Sequence, residues 1–136
     1  MKGRRRMRHL VLGGLAALSV SLAAGSSWAH HSITALFDVS KSYTLSGVLT
    51  KVDWRNPHSE LSLEVRNDHG ELEAWVIQAA SLSWFTRRSL GKSDFENAIG
   101  QTVTVDVFRA RDGNLWGALL KITFANGAEL RSNPTQ

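Results

Sequence analysis

Glu60-Leu-Ser-Leu-Glu-Val-Arg-Asn-Asp-His-Gly-Glu-Leu-Glu-Ala-Trp-Val-Ile-Gln78 is the stretch that decides the fold. Leu61, Leu63 and Val65 alternate with Glu60, Ser62, Glu64 and Arg66, the period of two expected of a half-buried strand. Asp68-His-Gly70 supplies a hairpin turn. Residues 71–78 then return with Leu72, Ala74 and Val76 on one side and Trp75 and Ile77 on the other. Working toward the N-terminus, residues 43–54 alternate on odd positions (Tyr43, Leu45, Leu49) and then on even ones (Val52, Trp54). That parity change predicts a long strand bent or bulged near Gly47. Arg55-Asn-Pro-His58 ends it, because Pro57 has no N–H to donate and restricts Asn56 before it.

Toward the C-terminus the period changes. Ser81 is expected to cap a short helix carrying Leu82 and Phe85, with Gly91 as its terminator. Ser93-Asp-Phe-Glu96 has capping-box spacing for a second turn of helix. Val103, Val105 and Val107 mark a strand. The turn Arg111-Asp-Gly-Asn114 leads to another, with apolar residues at even positions from Trp116 to Phe124. Asn126-Gly127 allows a hairpin into a short segment, Glu129-Leu-Arg131. The order β-β-β-α-β-β predicts an all-β domain with a short helical insertion, an OB-like five-stranded Greek-key barrel, over residues 43–131. Residues 30–42 read as a leader and 132–136 as a flexible tail.

The chain has 136 residues, 16 Lys+Arg against 12 Asp+Glu, a net charge of +4 and no cysteine. The charge is unevenly placed. Lys2, Arg4, Arg5, Arg6 and Arg8 precede an apolar run, Leu10–Ala24, which is followed by small residues Ser27 and Ala29. That is the layout of a cleavable secretory signal over residues 1–29, and the run falls short of the ~20 strongly apolar residues of a spanning helix. Cleavage after Ala29 leaves 11 basic and 12 acidic side chains, a net charge of −1. The expected product is periplasmic or secreted, without a membrane anchor, disulfide or thiol chemistry. A near-neutral domain with an acidic strand face (Glu60, Glu64, Glu71, Glu73) is not expected to bind nucleic acid.

Two sets of residues are candidates for a site. If cleavage exposes His30, its free amine and imidazole chelate one metal ion. A third nitrogen from His58 completes a planar set that suits copper(II). His58 is preferred over His69 because the two bracket a strand and lie on the order of 30 Å apart. His31 is a weaker co-ligand, since adjacent side chains on an extended chain point to opposite sides. The second set is Trp54 and Arg55 after strand one, with Arg109, Arg111 and Trp116 around the turn after strand four. These loops flank the usual binding face of an OB-fold and suit a protein, glycan or small polar ligand. For catalysis the sequence offers no Gly-x-Ser-x-Gly elbow, cysteine or glycine-rich phosphate loop.

Ala29-His-His-Ser32, Phe37-Asp38, Lys41, Val52-Asp-Trp54, Asn56-Pro-His58, Trp75 and Arg109-Ala-Arg-Asp-Gly113 together resemble a family of secreted bacterial proteins of uncharacterised activity. The likeness spans most of residues 29–130 and implies a periplasmic location, without implying a ligand. Arg55 and Ser59 depart from the apolar or aromatic neighbours expected around Asn-Pro-His. In layout the chain is also similar to bacterial OB-fold periplasmic proteins, which implies a binding or stress-response module rather than an enzyme.

Overall fold

A helical turn, α1 (Ser32–Leu36), leads directly into a long first strand, β1 (Phe37–Asp53). The computed structural model describes residues 32–88 and 90–132; His30 and His31, the candidate ligands at the expected new terminus, lie outside them, as do residues 1–29. Contacts separate Met1–Ser32 from Ile33–Gln136, and the barrel belongs to the second unit. Its other elements are β2 (Ser59–Arg66), β3 (Leu72–Ala79), α2 (Leu82–Thr86), α3 (Lys92–Asn97), β4 (Thr102–Ala110), β5 (Trp116–Thr123) and β6 (Glu129–Arg131). The strands run in the order β3-β2-β1-β4-β5-β6, and a parallel pairing of β3 with β5 closes the first five into a barrel. This is the OB-like architecture, with helices between β3 and β4 as expected.

β1 serves two partners because it is long and bent. Its first part pairs with β4 (Tyr43 opposite Val107) and its second with β2 (Val52 opposite Leu61). Gly47 lies where the two pairings meet, and a Cβ there would stand 2.5 Å from the Glu64 carbonyl oxygen. Glycine is therefore demanded by close approach of β2. The bulge itself lies three residues further on, at Thr50, where the register slips between Leu49 and Lys51 and switches the buried parity. Phe37 extends β1 back from Tyr43. It is fully buried in a small second cluster outside the barrel, with Ala110 and Ala118, and its ring lies 4.6 Å from that of Trp116.

β5 departs from simple even-position alternation. The register slips again between Asp106 and Val107, so Leu119 rather than Leu120 enters the core while Ile122 remains in it. One consequence is that Trp116 and Ala118 face outward onto Phe37. In the β2–β3 hairpin, Asn67 organises the turn: its Oδ1 accepts the backbone N–H groups of His69 and Glu71, both at 3.0 Å. Gly70 supplies the left-handed residue, with φ +82°.

The helices differ from the expected caps. Ser81 stands at the start of α2 but makes no capping bond to its backbone; its hydroxyl meets that of Ser83. Gly91 does not terminate α2 but precedes α3, where its N–H donates to Asp94 Oδ2 at 2.7 Å. That leaves Ser93 inside the helix rather than at its cap. Phe85 and Phe95, both fully buried, carry α2 and α3 onto one end of the barrel, where Phe95 also meets Phe124 edge-on at 5.3 Å.

Candidate functional site

The two ends of the barrel are built differently. At the helix-covered end, Trp54 lies against Phe95 and Phe85, with centroids 5.3 and 6.5 Å away and both pairs near perpendicular. Edge-to-face packing of this kind is cohesive core packing. Trp54 is thus half-buried structure, and its indole Nε1 is buried without an acceptor. Beside it, Arg55 is committed to carboxylates. Its Nε and Nη2 both donate to Asp53 Oδ2, at 3.0 and 2.6 Å, and Glu60 lies 3.8 Å away. The Arg55 hydrogen bond holds the Asp53 carboxyl below its ordinary range. His58 is half-buried at this end, immediately before β2, and exposed His69 follows β2 at its other end.

The opposite end is where β1 begins and β4 turns into β5, and α1 lies beside it, tied through Arg111. Val103, Val105, Val107 and Arg109 form one inward series along β4, so Arg109 is the residue that caps the barrel's apolar interior here. Its guanidinium lies over two aromatic rings, 5.2 Å from the centroid of Tyr43 and 4.9 Å from that of Trp75. Lys41 Nζ sits 4.8 Å from the same Tyr43 ring. Trp75 is itself fixed: its Nε1–H donates to Glu73 Oε2 at 2.9 Å, and Asn67 Nδ2 donates to Glu73 Oε1 at 3.1 Å. Those two bonds, with a smaller contribution from the Arg109 charge, hold Glu73 below the ordinary carboxylate range. Cation–aromatic contacts of this type are worth about 0.5–2 kcal/mol each, more as water is excluded.

Arg109 and Arg111 line a hollow of about 350 Å³ with Asp38, Tyr43, Ala110 and Gly113. Arg111 ties the start of the chain to this end. Its backbone N–H donates to the Leu36 carbonyl at 2.9 Å and its Nε to the Thr34 carbonyl at 2.8 Å. On the opposite wall, Asp38 Oδ1 accepts both the N–H and the hydroxyl of Ser40, at 3.1 and 2.6 Å. Those bonds, chiefly the hydroxyl's, keep Asp38 ionised below its ordinary range.

The five residues of the aromatic–arginine set are accordingly divided. Arg109 and Arg111 meet at one hollow, Trp116 packs on Phe37 beside it, and Trp54 and Arg55 lie beyond the other end of β1. The run from Tyr43 to Asp53 that separates them is roughly 30 Å of extended chain. Tyr43, Asp38 and Glu73 complete the arginine end; each has a place in the sequence reading, Asp38 as a motif residue, Tyr43 and Glu73 as strand residues, but none is placed there with the arginines. The signal for them is Arg109 itself, a charged residue continuing an inward valine series. For the histidine set, the described segment nearest His30 and His31 is Ile33–Leu36, tied to Arg111, at the end of β1 away from His58. Among the described residues no three His, Asp or Glu side chains gather in a metal-binding cluster.

A closed OB-like barrel with helices over one mouth and an arginine–aromatic hollow at the other defines the class of the protein. Within that class the chain belongs to a family of unknown function, DUF6152, whose model matches residues 17–119. The match ends inside β5 and leaves β6 outside it. Neither the curated proteins nor the solved structures contain a match to the chain.

Proposed function

We propose that the chain is an exported, non-enzymatic binding module that seats a small polar ligand or glycan in the hollow at the β4–β5 end of the barrel. The single observation that carries this reading is the state of Arg109. It is half-buried and oriented by Tyr43 and Trp75, yet no oxygen among the described residues accepts a hydrogen bond from its guanidinium. Its nitrogens are not among the atoms buried away from solvent, so the guanidinium edge is held in place by two rings while still facing the hollow, and a ligand acceptor there replaces water with a charge-assisted hydrogen bond. Export rests on the tripartite layout of residues 1–29. No helix among the described residues is long and apolar enough to cross a membrane. The reading as a binder rests on the absence from the sequence of a nucleophile elbow, a cysteine or a phosphate loop.

Copper ligation by His30, His31 and His58 draws no support from the anchoring of Ile33–Leu36 to Arg111. A protein partner on Trp54 and Arg55 draws none from side chains already engaged by Phe95 and Asp53. A thermal-shift screen of small polar compounds and short glycans, run on wild type and Arg111→Ala, tests the seat. Hits that stabilise wild type and lose their effect in the variant are expected. Hits unaffected by the variant would refute this location for the seat.

A further inference from the structure

We propose that the hollow takes an acidic sugar, whose carboxylate is held by Arg109 and Arg111 and whose hydroxyls donate to Asp38. The inference rests on the seat proposed above and names the chemistry of what fills it.

The donor inventory is the first argument. Arg109 lies against two ring faces, which leaves the N–H groups at the edge of its planar fork without acceptors among the described residues. Arg111 spends only Nε, on Thr34, so its two terminal nitrogens are also without protein acceptors. Two guanidiniums with open donor edges on one hollow match a carboxylate, which accepts in the plane and in pairs.

Charge is the second argument. Of the residues lining the hollow, Arg109 and Arg111 are cationic and Asp38 is anionic; Lys41 over Tyr43 and Glu73 beside Arg109 offset one another, and the balance suits a monoanion better than a dianion such as phosphate. Asp38 also sets what accompanies the charge. Its Oδ1 is taken by Ser40 and its Oδ2 has no partner among the described residues. An ionised carboxylate accepts but cannot donate, so the ligand must bring donors beside its own carboxylate, as the hydroxyls of a sugar acid do.

The third argument concerns stacking. A neutral sugar is commonly held over an open aromatic face, and here that face is not open. Trp75 is buried in the barrel, and the Tyr43 ring already carries Lys41 and Arg109. Affinity therefore has to come from charge and hydrogen bonds. A volume of about 350 Å³ lies at the lower end of the roughly 300–1,000 Å³ usual for small-ligand sites and suits one ring rather than a chain of them.

The test is a calorimetric titration of the full chain, as recovered from the producing cell, with sodium glucuronate, glucose and sodium acetate. Glucuronate is expected to bind at least tenfold more tightly than either of the others. Arg111→Met and Asp38→Asn are each expected to weaken it at least fivefold while leaving the circular dichroism spectrum of the barrel unchanged. Arg109→Lys, which keeps a charge over the rings but loses the planar fork, is expected to weaken it similarly. Glucose binding as tightly as glucuronate overturns the inference but leaves the seat intact, provided Arg111→Met still abolishes it. Acetate matching glucuronate overturns the role of Asp38. Absence of glucuronate binding up to about 20 mM, far weaker than the millimolar affinity of a poor specific site, overturns the inference as a whole.

Discussion

Replacing Trp54 separates a packing residue from a binding residue. Its ring lies edge-on to Phe95 at 5.3 Å and Phe85 at 6.5 Å, and it is half-buried rather than fully enclosed. Full burial would give a truncation cost of about 3–5 kcal/mol. Partial exposure lowers the area contribution, while loss of two aromatic contacts, each about 0.5–1.5 kcal/mol, restores part of it. Trp54→Ala is therefore expected to cost about 3 kcal/mol, or roughly 10–20 °C in melting temperature for a domain of this size. Trp54→Phe keeps an aromatic edge and removes an indole N–H that is buried without an acceptor. Eliminating an unsatisfied donor offsets lost area, so this variant is expected within about 1 kcal/mol of wild type. Urea unfolding followed by circular dichroism measures both. Trp54→Ala within about 1 kcal/mol of wild type would show that the ring is not core. Equal losses in both variants would show that the indole nitrogen has a partner.

Other expectations follow from the same geometry. Gly47→Ala brings a Cβ to 2.5 Å from the Glu64 oxygen and 2.9 Å from Val65 Cγ2, and is expected to destabilise by about 1–3 kcal/mol in chemical unfolding. Glu73 is held below its ordinary value of about 4.5 by Trp75 and Asn67. Its contribution is present above that value and is lost as pH falls through the lower folded-state pKa, so Glu73→Gln is expected to shallow the acid limb of a stability–pH profile. An unchanged acid limb would count against that bonding. If residues 1–29 are a cleaved signal, mass spectrometry of the chain recovered from the producing cell is expected to find His30 at the new terminus, and His58→Ala is expected to leave copper(II) affinity unchanged. A tenfold loss in that variant would bring His58 back as a ligand.

Much of the fold was legible because the period-two pattern is strong where strands face one core. Leu61, Leu63 and Val65 against Trp75 and Ile77 specify the β2–β3 hairpin without help from elsewhere. The departures fall at the helix caps, where Ser81 and Gly91 take other roles, and at the register slip in β5. A bulge changes which face a residue occupies; the parity change between Leu49 and Val52 announces the first, which lies at Thr50, three residues from Gly47, whereas nothing around Leu120 announces the second, which turns Trp116 outward and brings in Leu119. Phe37 escaped for a different reason: its partner Trp116 lies far along the chain, so no local period reveals the pairing. The candidate site was half legible. Arg109 and Arg111 stand out by charge and turn position, whereas Trp54 and Arg55 look alike in sequence whether they face a ligand or are already engaged. Asp38 and Tyr43 join the site only through the antiparallel pairing of β1 with β4, a contact between distant parts of the chain.

The central claim is that the arginine-lined mouth, and not the helix-covered end or the outer strand faces, receives the ligand. The most direct measurement is an amide and side-chain ¹H–¹⁵N spectrum of the chain titrated with glucuronate. The account predicts shifts at residues 38–43 and 109–113, at Arg109 Nε–H, and at the indole N–H of Trp75, whose ring lies under that guanidinium. Shifts confined to residues 54–60, or to the outward positions of β2 and β3, would contradict it.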